Sequence, residues 1–267
     1  METGYTNGVD KRLDGPNRFV RGCVDPAQPA PARHHGGRSG PRRAPVRMFV
    51  NAALSGDRVT AITVALEFMA RTNSRATVIT DLFATAQLHI GDRWHVGEAT
   101  ADDEYRVSVA IAAAMAALPE PDQGRRVRPA STALLATLAP EEHDLGLRLV
   151  AAAFEDDGWN VEMTPGIDPV DLVERAWRTG FDLVAISCTY DPARARSHLG
   201  ATVQALHSVG IPVMVGGSAL ARAPRLGEQI GADTVAGDVR LAIILARRLL
   251  GSHSLRSRAR VINTVAV

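Results

Sequence analysis

A histidine surrounded by carboxylates is the strongest chemical signal in this sequence. His143 lies in the segment APEEHDLG, two positions after Glu141 and next to Glu142 and Asp144. A carboxylate that accepts a hydrogen bond from one imidazole nitrogen makes the other nitrogen more basic, which suits it to bind a metal. No second His or Cys nearby completes a zinc site. If His143 binds a metal, most of the coordination must come from another molecule, such as a macrocycle. The alternative is a solvated histidine near the start of a helix.

A hydroxyl and two glycines follow apolar runs later in the chain. Ser187 ends the run FDLVAIS, and Gly216 and Gly217 end the run IPVMVGG. A hydroxyl can hydrogen-bond a ligand, and glycines let a flat or elongated ligand approach the backbone closely. Each signal alone is weak, because loop caps and tight turns use the same residues. The chain has no GxGxxG after its first strand and no GxxxxGK[ST], which disfavours simple dinucleotide and P-loop sites.

Composition excludes several classes of protein. The chain has 267 residues, of which 46% are hydrophobic, so one large domain or two ordinary ones can bury a core. Its 30 basic and 29 acidic residues leave a net charge of +1, which gives no global electrostatic reason to bind nucleic acid or a membrane. The two cysteines, Cys23 and Cys188, do not suggest a disulfide framework. With no signal peptide and no membrane-spanning run, we expect a cytoplasmic protein.

The apolar spacing of the first half of the chain predicts helices between two irregular segments. Residues 1–46 are rich in Pro, Gly and Arg without apolar periodicity, which predicts a disordered tail. Residues 47–120 show helical spacing in four segments with short connections, which predicts a four-helix bundle. Residues 121–130 have the composition of a linker, and residues 252–267 are predicted to form a second tail.

Residues 131–251 alternate between short apolar runs and helical segments. This alternation predicts a parallel sheet with helices on both faces. Five strands at this spacing favour a flavodoxin-like doubly wound α/β fold, whose ligands bind beyond the carboxyl ends of the strands. The loops that carry His143, Ser187 and Gly216–Gly217 follow the first, third and fourth predicted strands. We therefore expect these residues to meet at one edge of the sheet.

The order of these residues resembles the cobalamin-binding domain family. The segments EEHDLG, SCT and VGGSA are similar to the family pattern Asp-x-His-x-x-Gly, then Ser-x-Leu or Ser-x-Thr, then Gly-Gly. The resemblance implies that His143 is the lower axial ligand of cobalt and that the displaced dimethylbenzimidazole tail threads into the sheet. Glu141 stands where much of the family has Asp. The resemblance assigns the remaining cofactor-binding residues of this domain to Glu142, Asp144, Leu145, Gly146, Ser187, Thr189, Gly216, Gly217 and Ser218.

The bundle carries a second part of the resemblance. Trp94 is followed by His95, and nine residues separate Trp94 from the pair Glu104–Tyr105. Light-sensing regulators similar to the carotenoid-operon repressor CarH have Trp, nine residues, then Glu-His, so here Tyr105 replaces the last histidine. The resemblance implies that Trp94 shields an adenosyl group above the corrin and that Glu104 holds its ribose hydroxyls. It also implies that His95 binds cobalt after light has broken the cobalt–carbon bond.

The resemblance predicts a cobalamin-dependent light sensor, which is a signalling protein and not an enzyme. Photolysis of adenosylcobalamin would change conformation, oligomer or partner binding. The alternative is a corrinoid methyl carrier of a methyltransferase system, although Leu147 replaces the lysine common in that group. A mutase small subunit suits the chain less well, because those subunits lack this bundle. The photocobilin-like relatives make biliverdin a candidate second chromophore.

The resemblance also sets expectations for partners. The light-sensing regulators usually begin with a winged-helix DNA-binding domain, and residues 1–46 have no pattern that would form one. We therefore expect no direct DNA binding and no membrane association, but a downstream protein partner. A homodimer is the default oligomer, because two-fold symmetry is the commonest arrangement.

Overall fold

The first part of the described chain is helical. The computed structural model describes residues 43–120, 131–141, 143–189, 192–223 and 225–251. The first helices are α1 (Arg43–Leu54), α2 (Arg58–Thr72), α3 (Arg75–Thr77), a π-helical segment (Val78–Phe83), α4 (Ala84–His95) and α5 (Ala101–Ala117). Because α3, the π-helical segment and α4 follow one another without a gap, they form one continuous rod. The helical region therefore has four rods, as the sequence predicts.

Side-chain caps fix where two of these rods begin. Asp57 precedes α2, and its carboxylate accepts a hydrogen bond from Thr60 N at 2.9 Å. Thr100 precedes α5, where its hydroxyl accepts from Asp103 N at 3.1 Å. The Asp103 carboxylate in turn accepts from Thr100 N at 2.9 Å. This reciprocal capping satisfies donors that the first helical turn leaves without partners, so the local sequence sets both helix starts.

Apolar side chains of all four rods form the core of the bundle. The rings of Phe49 in α1 and Phe83 in the π-helical segment pack with centroids 5.6 Å apart. Val78, Ile79 and Leu82 of the same segment are also fully buried. The π-helical segment therefore lies inside the core of the bundle.

Five parallel strands form the sheet of the second part. They are β1 (Thr132–Leu138), β2 (Asn160–Ile167), β3 (Leu183–Ser187), β4 (Val213–Gly216) and β5 (Thr234–Ala236). The strand order is β2-β1-β3-β4-β5, and every neighbouring pair is parallel. This is the strand order of flavodoxin-like doubly wound sheets, so the predicted α/β fold is confirmed.

Helices cover both faces of this sheet. They are α6 (Leu145–Asp156), α7 (Pro169–Thr179), α8 (Pro192–Ser208), α9 (Ser218–Arg222), α10 (Leu226–Ile230) and α11 (239–251). Phe154 of α6 and Ala246 of α11 pack in the core on one face. Leu172 of α7 and Leu199 of α8 pack in the core on the other face. Strand β1, which lies between β2 and β3, is buried at six consecutive positions, because a strand covered on both faces must be apolar on both.

The bundle packs on the outer side of α6. Leu147 and Phe154 of α6 belong to the core of the sheet domain. Leu149, Ala152 and Ala153 of the same helix belong to the core of the bundle. Each of these five residues is at most 6% exposed. α6 is thus apolar around most of its circumference, as a helix buried on two sides must be.

Two ion pairs mark the two ends of this contact. Arg75 at the start of α3 pairs with Asp156 at the end of α6. Asp81 in the π-helical segment pairs with Arg240 at the start of α11. Both α6 and α11 follow strands and therefore begin at the carboxyl edge of the sheet. The rod from Arg75 to His95 consequently runs towards the carboxyl edge, and α4 continues beyond the strand ends.

Several sequence predictions concern residues outside the described ranges. Residues 1–42 of the predicted tail, the linker 121–130, the second tail 252–267 and Glu142 all lie there. α1 begins at Arg43, four residues before the predicted start of the bundle. None of the described helices is long and apolar enough to cross a membrane.

Candidate functional site

The ends of β1, β3 and β4 lie side by side at the carboxyl edge of the sheet. Thr137 is the register partner of Ser187, and Ser187 is the register partner of Gly216. The loops after β1 and β3 carry His143 and Thr189, which contact the same carboxylate. The structure therefore brings these segments together, as the predicted strand order requires.

Glu141 is the buried centre of this edge. Its side chain is 2% exposed, and Oε1 lies 2.6 Å from Nδ1 of His143. The same oxygen accepts a hydrogen bond from the backbone N of His143 at 3.1 Å. The side chain of His143, by contrast, is 82% exposed. The carboxylate therefore holds the imidazole through Nδ1, while most of the side chain of His143 remains exposed.

Thr189 holds the other oxygen of Glu141. Its hydroxyl donates to Oε2, and its backbone N donates to the same oxygen at 3.1 Å. Burial by itself raises the pKa of Glu141, but the hydrogen bonds from His143 and Thr189 outweigh burial and hold that pKa below its usual value. Glu141 is thus a stabilised carboxylate that orients the ring and increases the basicity of Nε2.

Thr137 is a residue of this site that the sequence analysis missed. Its side chain is fully buried at the end of β1. Its hydroxyl donates to the backbone oxygen of Glu141 at 3.1 Å and accepts from Gly166 N at 2.8 Å. One hydroxyl therefore fixes the loop of His143 to the end of β2. The available signal was a hydroxyl residue inside an otherwise apolar strand, where a buried polar group needs partners.

The last residue of β4, Gly216, and the residue after it, Gly217, lie close to the protein's own backbone. A Cβ at Gly217 would lie 2.3 Å from the carbonyl oxygen of Cys188, and the φ of +95° there disfavours any side chain. A Cβ at Gly216 would lie 3.0 Å from the carbonyl oxygen of Ala236. The turn thus allows β4 to pack closely against the loop after β3 and against β5. The close approach of a ligand here stays a prediction.

The other predicted residues of this edge have different surroundings. Asp144 pairs with Arg148 one turn along α6. Leu145 packs partly against the core of the bundle. Gly146 is exposed, and no described atom outside its own helix lies within 4 Å of the position of a Cβ. Ser218 at the start of α9 is exposed as well. Gly146 and Ser218 therefore leave space at this edge, whereas Asp144 and Leu145 contact the protein itself.

The aromatic residues predicted for the bundle lie at the end of α4 and the start of α5. Trp94 and His95 end α4, and their rings stack with centroids 5.7 Å apart. Trp94 is 37% exposed and Tyr105 is 47% exposed, so this end of the bundle presents apolar surface. Because α4 extends beyond the strand ends, this surface lies towards the same end of the sheet domain as His143.

Glu104 is held by two neighbours. Gln87 Nε2 of α4 donates to Glu104 Oε1 at 2.6 Å, and Ser108 Oγ of α5 donates to the same oxygen at 2.9 Å. Ser108 Oγ also lies 3.3 Å from Gln87 Oε1. The sequence identified Glu104 but neither of its neighbours, because the contact of Gln87 with Glu104 depends on how α4 pairs with α5.

The described part of the site offers one imidazole, that of His143, as a candidate metal donor. Among the described residues, no three His, Cys, Asp or Glu side chains form a group that could hold a metal ion. A lone axial histidine is the donor that a macrocyclic metal cofactor uses, since the macrocycle brings the other ligands. The arrangement at His143 is thus chemically suited to such a cofactor.

The chain resembles solved structures whose names refer to cobalamin or corrinoids. The monomethylamine corrinoid protein of Methanosarcina barkeri matches with a TM-score of 0.63 and 18% identity, over 77% of this chain and 99% of that one. A cobalamin-binding protein of Desulfitobacterium hafniense matches with a TM-score of 0.41 and 19% identity, over 76% and 97%. The methanol:cobalamin methyltransferase complex MtaBC of M. barkeri matches with a TM-score of 0.41 and 12% identity, over 79% and 81%. The first of these likenesses supports the fold. No curated protein matches the chain.

Two family models cover most of the described chain, and both are described as a B12 binding domain. One matches residues 131–245, which include the whole sheet. The other matches residues 46–118, which include nearly all of the helical bundle. Cobalamin is the chemical name of vitamin B12. With a match in each of its two parts, the chain belongs to the cobalamin-binding domain family.

Proposed function

We propose that this chain carries a corrinoid whose cobalt is bound from below by His143 and covered from above by the end of α4. The observation that carries the proposal is the contact between Glu141 and His143, in which a buried carboxylate holds an exposed imidazole by Nδ1. The pair lies at the carboxyl edge of the sheet, where the ligands of doubly wound folds bind. Nε2 of His143 is then the atom that would bind cobalt.

The surroundings of His143 suit a broad, flat group. Gly146 lies in the first turn of α6, and no described atom outside its helix comes within 4 Å of the position of a Cβ. A ring system lying across the start of α6 would therefore meet no side chain at this position. Ser187 and Gly216 adjoin one another along the strand ends and are the candidates to contact the nucleotide tail.

The direction of α4 supports the proposal that the end of this helix covers the upper side of the corrinoid. The ion pairs Arg75–Asp156 and Asp81–Arg240 set the direction in which α4 extends past the strand ends. Trp94 then supplies an aromatic ring that would exclude water above the cobalt. A bound corrinoid would supply a cobalt–carbon bond, whose carbon group could pass to an acceptor or be released by light, and both uses would need a sheltered upper face.

Methyl transfer is the function that the solved neighbours favour. The structure with the TM-score of 0.63 is a monomethylamine corrinoid protein, and the match spans 99% of its chain. In this role the chain would hold the corrinoid while a partner enzyme adds or removes the methyl group, so a protein partner is part of the candidate. Leu147 stands where methyl carriers commonly have lysine and is buried in the core of the sheet domain. This difference from the methyl carriers argues against methyl transfer as the function.

Light sensing through adenosylcobalamin is a second candidate, favoured by residues of the bundle. Trp94, His95 and Glu104 keep the spacing found in CarH-like regulators. The stacked pair Trp94–His95 ends α4 on the side of the proposed upper face, where His95 would replace a departing upper group. The output would be a change in oligomer or in contact with a partner. Biliverdin is a candidate second chromophore only for a light sensor. A visible absorption band that stays with the protein after biliverdin has been added would support its binding.

An absorption spectrum separates the two candidates. The purified protein is loaded in darkness with adenosylcobalamin or methylcobalamin, and its spectrum and size are recorded before and after green light. A stable spectrum of cobalt with two histidine ligands, altered in His95→Ala and accompanied by a change in size, supports the sensor. Methyl transfer to an acceptor in the dark, without a response to light, supports the carrier. Failure to bind either cobalamin contradicts both candidates.

A further inference from the structure

Helix α7 presents a stripe of apolar side chains to solvent. Val170 and Trp177 are 71% and 63% exposed, and Val173 between them is partly buried. Residues spaced by three and four positions lie on one side of an α-helix, so these three side chains form one stripe, the α7 stripe. Leu172 of the same helix packs in the core on the face of the sheet opposite to α6, which carries the bundle. The α7 stripe therefore lies on the side of the sheet domain away from the bundle.

Charged side chains lie along one flank of the α7 stripe. Asp171 and Arg178 are both exposed, near the start and the end of α7. They are seven positions apart, which is about two helical turns, so they lie on the same side of the helix. Glu174 lies between them and pairs with Arg178 at 2.6 Å. This flank is thus acidic towards the start of α7 and basic at its end.

A second copy of α7 that runs in the opposite direction matches both features. A two-fold axis that passes midway between Asp171 and Arg178 keeps the charged flanks of the two helices on the same side. It also reverses the order of the residues, so Asp171 of each copy lies level with Arg178 of the other. With a rise of about 1.5 Å per residue, Trp177 of one copy then lies between Val170 and Val173 of the other. The charges of the flank and the shape of the stripe therefore suit the same antiparallel arrangement.

We propose that α7 forms the interface of a homodimer, in which the α7 stripe of one chain packs antiparallel against the α7 stripe of a second copy. Arg178 then lies between Glu174 of its own helix and Asp171 of the second copy. Trp177 is the main anchor, because a large aromatic side chain that becomes buried in an interface contributes much of the binding energy. The two bundles lie on the outer sides of this dimer. The inference does not depend on the corrinoid site proposed above.

Sedimentation equilibrium of the full chain, in darkness, measures the dissociation constant of the dimer. We expect the wild type to reach twice the mass of one chain. Trp177→Ala should weaken the dimer at least about 100-fold, because the two-fold axis removes the anchor from both sides of the interface. Val59→Ala is the matched control, because Val59 is an apolar residue of α2 that is 76% exposed. The control should dissociate within about twofold of the wild type.

Reversal of the two charges tests the antiparallel direction. Asp171→Arg and Arg178→Asp each bring like charges together at both ends of the interface, so each should weaken the dimer about tenfold. The double variant exchanges the two signs and restores both attractive pairs. Its dissociation constant should return to within about threefold of that of the wild type. Such a recovery requires that Asp171 of one copy faces Arg178 of the other.

Three results would overturn the inference. A wild type that stays monomeric up to about 100 μM would leave the α7 stripe to a different protein. A Trp177→Ala dimer as tight as that of the wild type would place the interface elsewhere. A double charge variant as weak as the single variants would exclude the antiparallel pairing. All substituted side chains are exposed, so circular dichroism should show an unchanged fold. Cobalamin binding by Trp177→Ala, measured by equilibrium dialysis, keeps the fate of the corrinoid proposal separate.

Discussion

Glu141 Oε1 lies 2.6 Å from His143 Nδ1, and Thr189 donates two hydrogen bonds to the other oxygen of the same carboxylate. One buried side chain thus connects the loop after β1 with the loop after β3. The direction of the imidazole is therefore set by contacts within the protein. A ligand residue that is already oriented loses less freedom on binding, which favours affinity.

Replacing Glu141 by glutamine tests the value of this arrangement. Glu141→Gln keeps the size of the side chain but removes the negative charge beside His143. We expect the affinity for cobalamin, measured by equilibrium dialysis, to fall about 10–100-fold, the usual cost of losing an outer partner of a metal-binding histidine. Glu174→Gln is the control, because Glu174 forms a surface ion pair with Arg178. If the affinity of Glu141→Gln for cobalamin lies within about twofold of that of the wild type, the charge of Glu141 does not influence how His143 binds the cofactor.

Two threonines of neighbouring strands should respond differently to valine. Thr137→Val removes the hydroxyl that joins the Glu141 carbonyl to Gly166 N, so we expect the free energy of unfolding to fall by about 1–3 kcal/mol. Thr164→Val in β2 is the matched control, because Thr164 Oγ1 is buried without a hydrogen-bond partner among the described residues. Loss of the Thr164 hydroxyl should lower the free energy of unfolding only slightly, or raise it. Urea unfolding measures both variants, and equal destabilisation would argue against the role given to Thr137.

Replacing either of two glycines of the site by alanine should change the stability of the fold in opposite directions. Gly217→Ala places a Cβ against the Cys188 backbone at a φ of +95°, so we expect destabilisation, with about 1–3 kcal/mol from the backbone conformation alone. Gly146→Ala places a methyl group in open space within α6, so we expect a gain of up to about 1 kcal/mol. Thermal unfolding checks both expectations.

The same Gly146→Ala variant reports where the corrinoid lies. The added methyl group would meet a ring placed across the start of α6, so we expect weaker binding of cobalamin despite the higher stability. Equilibrium dialysis provides the measurement. A variant that is more stable and binds as well as the wild type would place the corrinoid away from Gly146.

Burial of the Asp156 carboxyl group, which pairs with Arg75 between bundle and sheet domain, gives stability a pH dependence. Burial raises the pKa of Asp156 and Arg75 lowers it, and the resulting pKa lies above its usual value. Between the usual and the raised pKa, the folded state binds more protons than the unfolded state. This contribution to the free energy of unfolding is thus present at low pH and lost as the pH rises through the raised pKa. Asp156→Asn should remove this part of the dependence of the unfolding free energy on pH, which urea unfolding measures from acidic to neutral pH. If the unfolding free energy depends on pH in the same way in the wild type and the variant, Asp156 is not the source of this effect.

The sheet domain was predictable because its signals are local or follow from strand order. Alternating apolar runs and helices leave few topologies, and the carboxyl ends of parallel strands meet at one edge. The contact between Glu141 and His143 spans two residues, so spacing alone indicates it. Thr189 lies 48 residues from Glu141. The sequence placed it among the cofactor-binding residues, whereas the structure shows its hydroxyl and backbone N donating to Glu141.

The docking of the bundle was not predictable from local patterns. Leu149, Ala152 and Ala153 give α6 a second apolar face, but nothing in their spacing says which element covers it. The pair Arg75–Asp156 joins residues 81 positions apart. Gln87 shows no signal in the sequence, because its role depends on the pairing of α4 with α5. Contacts of this kind arise only from the tertiary arrangement.

Ligation of cobalt by His143 is the point on which the corrinoid proposals depend, and EPR spectroscopy can test it. The protein is made with histidine labelled with nitrogen-15, loaded with unlabelled cobalamin and reduced to the cobalt(II) form. We predict that each cobalt line is split into a doublet, in place of the triplet seen without the label, and that His143→Ala loses the doublet. A triplet that persists in the labelled protein would mean that the benzimidazole of the cofactor is still bound to cobalt, and would contradict ligation by His143.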